Sequence, residues 1–219
     1  MRHLRDVSKT NSQQEDDKKS RLTSRQLQAL ETKNKIYHAA VTVINEKGFH
    51  NTSIEDITNY ADVAKGSFYT YFESKEAIVF YTFQQSDEMY EKAFAQIKGE
   101  DFLDMMIHFV KISYKEYEKR GKGIIKAIVS GYFTFTDYNF YSEDRDLLKC
   151  LNLIIEKGKE QGVLDNEIPT GRYVNLLLST LVGVEVMWCL DDQGNSLSDM
   201  IADAVMVTAK GMMDSRPED

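Results

Sequence analysis

Apolar side chains recur along this chain at spacings of three and four residues, the repeat of one helical face. Nowhere do they alternate in the period of two that marks a half-buried strand. Ile36, Ala39, Ala40, Val43 and Ile44 draw the first stripe, Leu27 and Leu30 extend it back towards Ser24, and Gly48 stands where a left-handed C-cap would end it. Thr52, with Glu55 three residues on, forms a capping box ahead of Ile54, Ile57 and Ala61, which predicts a short second helix. A third is expected over 64–72, with Phe68, Tyr71 and Phe72 on one side. A fourth, capped by Ser74, should run towards Ile97. Further helices are expected over 101–119, 124–136, 142–162, 170–190 and 196–213, separated by glycine- and asparagine-bearing breaks. With prolines only at 169 and 217, the chain reads as all-α with about nine helices.

Composition fits a globular protein: 42% hydrophobic and 28% charged. The first twenty residues have no apolar core of the kind a secretory signal needs and read as part of a polar, basic tail over 1–24. The stretch 174–190 falls short of a bilayer span and carries Asn175 and Glu185, so it reads as a buried or interfacial helix and no membrane association is expected. Cys150 and Cys189 stand apart in apolar helical patterns, as reduced core residues of a cytoplasmic protein would. The four histidines cluster with neither, so no metal and no cofactor is expected. No nucleophile–base pair or glycine-rich phosphate loop is visible, and the chain reads as a non-enzyme.

The net charge of −8 conceals a split. Residues 1–72 carry eleven basic and nine acidic side chains, a balance of +2, which leaves −10 on the remainder. Lys18, Lys19, Arg21, Arg25, Lys33 and Lys35 bunch as a candidate phosphate-facing arm.

Residues 52–75 read as a helix, a tight turn and a second short helix. The second helix offers Lys65, Gly66, Ser67, Tyr69 and Thr70 where a solvated face would ordinarily be rich in Glu and Lys. Such donors and bare backbone suit phosphates and base edges. In Gly48-Phe49, Thr52, Ile57, Ala61, Val63, Lys65-Gly66, Phe68-Tyr69, Tyr71-Phe72 and Ser74-Lys75-Glu76, the stretch resembles the DNA-binding domain of the TetR family of bacterial regulators. It departs from the family pattern at Thr58, Asp62 and Ala64; Asp tolerates a left-handed turn and could itself cap the recognition helix.

The resemblance implies a helix-turn-helix DNA-binding domain over 25–78 and a helical ligand-binding and dimerisation domain over 79–219. It implies DNA contacts from Thr52, Lys65, Gly66, Ser67, Tyr69, Thr70, Tyr71 and Lys75. The phosphates would fall to Tyr69, Tyr71 and Lys75, and the groove to Lys65, Ser67 and Thr70. The implied protein is a homodimeric repressor of a palindromic double-stranded operator, released by a small effector.

Ten aromatic residues fall between Phe102 and Tyr141. They read either as a packed core or as the lining of a cavity for an apolar or aromatic effector. The family's architecture favours the cavity, with Met105, Met106, Phe109, Tyr132, Phe133, Phe135 and Trp188 as lining. Glu185 is open between an interface group and a pocket carboxylate. An alternative reading keeps DNA binding and makes the C-terminal domain a docking surface for another protein.

Overall fold

A computed structural model describes residues 23–97, 99, 101–134 and 142–214. Nine helices and no strand occur among the described residues: α1 (Ser24–Lys47), α2 (Ile54–Tyr60), α3 (Lys65–Tyr71), α4 (Lys75–Ala95), α5 (Phe102–Glu118), α6 (Lys122–Thr134), α7 (Asp146–Glu160), α8 (Thr170–Leu190) and α9 (Leu197–Asp214). The chain divides into two compact units. One takes residues up to Phe83 together with Gly121–Ile128; the other takes Gln84–Arg120 and everything from Val129.

In the first unit α1 begins at a capping box in which Thr23 and Gln26 exchange side-chain and backbone hydrogen bonds. Its stripe Ile36, Ala39, Ala40, Val43 and Ile44 is buried against α2 and α3. Gly48 ends it at φ +81° and ψ 154°, outside the left-handed helical basin expected there, while its N–H still reaches the Ile44 carbonyl. The box that starts α2 is one residue later than the sequence suggests. Ser53 caps Asp56, and the Asp56 carboxylate returns the bond to the Ser53 N–H at 2.9 Å. Asp62 makes the turn at φ +47°, as its tolerance of that region allows. It does not cap α3: the N-cap is Ala64, which has no side chain to offer.

The first turns of α6 lie in the same unit. Asn45 Oδ1 accepts from the Ile124 N–H at 3.1 Å, and a Cβ at Gly123 would meet the Ile44 carbonyl oxygen at 2.6 Å.

The second unit packs α9 on α5 and α8, with α7 against α5 and α8. Its core is drawn from Phe102, Met106, Phe109, Tyr114, Tyr117, Leu151, Ile154, Leu177, Ile201 and Val205, all buried. Cys150 and Cys189 are buried within it, and neither is in a disulfide. Gly158 marks a close approach within this unit, since an added Cβ would stand 2.8 Å from Leu164 Cδ1 and 2.8 Å from Phe102 Cδ2. Gly158→Ala should therefore cost about 1–3 kcal/mol by overpacking, despite alanine's better helix propensity. Urea unfolding measures it; a stabilised variant would mean that the two neighbours yield freely.

Candidate nucleic-acid interface and effector centre

α3 is only seven residues long, so its hold on the unit rests on few side chains. Phe68 is fully buried and Phe72 nearly so, their ring centroids 5.9 Å apart. Lys33 places its ammonium 4.1 Å from the Tyr81 ring centroid and 5.6 Å from that of Phe72, closing this core with a cation. Anchoring Phe68 inward turns Lys65, Gly66, Tyr69 and Thr70 outward, and all four are exposed, Tyr69 by 52%. Ser67 and Tyr71 sit half-buried at the flanks. Nothing stands within 4 Å of where a Gly66 Cβ would be, which leaves bare backbone on the open face. Thr70 spends its proton on the Gly66 carbonyl at 3.1 Å and presents an acceptor outward.

Two of the eight expected contact residues lie elsewhere. Thr52 is 2% exposed, and its hydroxyl donates to the Gly48 carbonyl at 2.8 Å, so burial withdraws it from the surface and makes it a tie across the α1–α2 turn. The Lys75 ammonium donates to the Phe49 carbonyl at 2.6 Å and the Thr52 carbonyl at 2.8 Å, and lies over the Phe49 ring. Its charge is held at the carbonyl end of that turn, with one N–H left over. Tyr60, which sequence reasoning missed, is exposed at the end of α2; its offset from the Ile57–Ala61 face was the available signal. Lys47 pairs with Asp56 at 2.6 Å, and this bond, with those from Ser53, holds the Asp56 carboxyl well below the usual range.

In the second unit Met105, Met106, Phe109 and Trp188 are buried, and Tyr132 is half-buried. Phe109 faces Tyr90 and Phe94, while Trp188 donates its indole N–H to the Asn195 carbonyl at 2.8 Å. Phe133 departs from the expectation: it is 84% exposed, because a residue adjacent to Tyr132 on a helix points about 100° away. Phe135 lies outside the described residues.

Glu185, left open between two roles by the sequence, is 4% exposed in the interior of this unit. Tyr114 donates to its Oε1 at 3.0 Å and Tyr132 to its Oε2 at 3.1 Å. Burial pushes its carboxyl up to about 7, against the pull of the two phenols and the more distant Arg145. Burial and the Glu185 charge hold the Tyr114, Tyr117 and Tyr132 phenols well above their ordinary range, so they remain neutral donors. Arg145 is itself clamped to Asp87, with Nη2 at 2.9 Å and Nε at 3.1 Å from Oδ1.

A groove of about 350 Å3 runs between α4 and α5. Met89, Ala93 and Ile112 line it together with Gln85, Glu88, Lys92, Gln96, Glu116 and Arg120, and none of the expected effector residues does. On α8, Leu176, Met187 and Leu190 share an exposed stripe with Gly183, and Val207 is exposed on the adjoining α9. Among the described residues no group of three or more His, Cys, Asp or Glu could hold a metal ion.

Residues 36–82 match the model of the "Bacterial regulatory proteins, tetR family". An uncharacterized HTH-type transcriptional regulator of Bacillus subtilis, YvdT, is 51% identical over 45 residues, 20% of this chain and 23% of the relative. The HTH-type transcriptional regulator UidR of Escherichia coli K12 is 30% identical over 97 residues, 43% of this chain and 50% of the relative. The chain thus spans at most half the length of these curated relatives. The crystal structure of the transcriptional regulator FadR from Bacillus subtilis in complex with stearoyl-CoA superposes with a TM-score of 0.63 at 20% identity, covering 81% of this chain and 97% of that one. That likeness carries the all-helical fold across both units. The stretch from α1 to α4 is thus similar in sequence to the tetR family of bacterial regulatory proteins, and the likeness to the solved regulator shows the fold of the chain.

Proposed function

We propose that this protein is a cytoplasmic, DNA-binding transcriptional regulator, a repressor that holds a palindromic operator as a homodimer and leaves it when a small molecule binds. The observation that carries the reading is the α3 surface, where Lys65, Gly66, Ser67, Tyr69 and Thr70 stand over an anchor of Phe68 and Phe72. Lys65, Ser67 and Thr70 are the groove-facing residues, Tyr69 and Tyr71 the phosphate-facing ones, and Gly66 permits close backbone approach. Lys75 adds its remaining N–H at the edge, while Thr52 serves the turn behind the surface. Two copies of this unit occupy successive major grooves about 34 Å apart.

The exposed stripe of Leu176, Met187 and Leu190, with Val207, supports pairing of two copies through α8 and α9. The same stripe favours a second reading, in which another protein docks there; a monomer by sedimentation that gains mass only with a partner would select it. The effector reading draws on the buried aromatic residues of the second unit. α4 and α6 each carry residues of both units, so an effector that favours one setting of these helices shifts affinity for DNA.

The test is binding to DNA from upstream of the protein's own gene, titrated with salt. Tight binding that weakens steeply with salt is expected, and Tyr69→Ala should abolish it. Equal binding to every sequence by wild type and variant alike would remove the repressor reading.

A further inference from the structure

A buried carboxylate without a cation is an expensive thing to keep in a protein core, and Glu185 is one. It sits on α8, and the two groups bonded to it come from α5 and α6, as one phenol to each oxygen. An ionised carboxylate offers about four acceptor positions. Among the described residues the two phenols are its hydrogen-bond partners and no ion pair reaches it, so acceptor positions remain. The nearest guanidinium to act on it, Arg145, has its Nε and Nη2 committed to Asp87. The rings around it are electron-rich: Tyr114 and Tyr132 touch it, and Tyr90 and Tyr117 feel its charge. Of the two phenols bonded to Glu185, Tyr114 is buried and Tyr132, on α6, is half-buried.

A negative group lined by phenol rings and short of positive charge is complementary to a cationic nitrogen on an apolar body. The carboxylate supplies the counter-charge and the rings supply cation–π attraction. We propose that Glu185, Tyr114 and Tyr132 form the polar anchor of the effector site and select an organic cation, a ligand with a protonated amine and an apolar tail. This rests on the effector-responsive reading above and narrows it. A purely apolar acyl chain would leave the carboxylate desolvated and unmatched, and an anionic head would be repelled by it.

The test uses three probes with one eight-carbon tail: octylamine, octan-1-ol and octanoate, each below its aggregation range. Titration calorimetry on the full chain should show octylamine bound at least about tenfold more tightly than either of the others. Glu185→Gln, with an unchanged circular dichroism spectrum, should lose that preference. A second measurement needs no variant. Tyr114 on α5, Tyr132 on α6 and Arg145 act on Glu185 directly, Tyr90 on α4 and Tyr117 on α5 feel its charge, and those last two phenols also feel Asp87, Arg120 and, on α8, Cys189. The phenols stay neutral near pH 7, so Glu185 sets the titration, and octylamine should bind about tenfold more weakly near pH 6 than near pH 8. Equal affinity for the three probes, tightest binding of octanoate, or no binding of any of them overturns the proposal. Operator binding by the ligand-free protein is measured separately and stands or falls without it.

Discussion

Urea unfolding of the wild-type chain should lose about 3 kcal/mol of stability as pH rises from about 4.5 to 7, and Glu185→Gln should remove that loss. The sign follows from where the proton sits. In the folded chain the Glu185 carboxyl keeps its proton up to about 7, whereas the unfolded chain releases it near 4.5. Between those values the folded state binds more protons, so the contribution is fully present below 4.5, declines through the window and is flat above it. Glutamine accepts from one phenol and donates to the other, so the variant keeps the geometry without the charge. Above pH 7 it should be the more stable protein. Asp56 acts in the opposite sense and at lower pH, because Lys47 and Ser53 hold its carboxyl down. It is common to both proteins and cancels in their difference. Parallel stability curves for wild type and variant would mean that Glu185 is solvated after all.

The helices were legible because burial on one face forces a repeat of about 3.6 residues, and the Ile36–Ile44 and Phe68–Phe72 stripes show it without any long-range information. The α3 surface was legible for the complementary reason: once Phe68 is inward, Lys65, Gly66, Tyr69 and Thr70 must be outward. Local pattern failed where tertiary partners decide. Thr52–Glu55 and Ser53–Asp56 both satisfy the capping-box spacing, and Ser53 makes the box, while Thr52 is buried with its hydroxyl turned back to donate to the Gly48 carbonyl. Lys75 reads as a free donor at a helix start, yet the Phe49 and Thr52 carbonyls, more than twenty positions upstream, capture it. Glu185 meets partners 71 and 53 positions away, and Arg145 meets Asp87 at 58, separations that no helical repeat encodes. Phe133 was placed in the lining by the family's architecture, which points to the middle helices but does not assign each of their residues a face.

Phe68→Ala should destabilise the protein by about 3–5 kcal/mol and abolish operator binding, while Tyr69→Ala, one residue along, should stay within about 0.5 kcal/mol of wild type and lose operator binding alone. The contrast is a statement about helix geometry. Phe68 is fully buried, edge-on to the Tyr69 ring and tilted against Phe72, so its removal leaves a cavity beneath a helix of seven residues that has no side-chain N-cap to hold its first turn. Tyr69 is half exposed, and its truncation opens no void. Phe68→Leu, which refills most of the cavity, should recover most of the stability and with it DNA binding, showing that the phenylalanine acts as scaffold and not as contact. If instead Tyr69→Ala proved as destabilising as Phe68→Ala, α3 would be rotated from the orientation described, and the face assigned to DNA would be the face that packs.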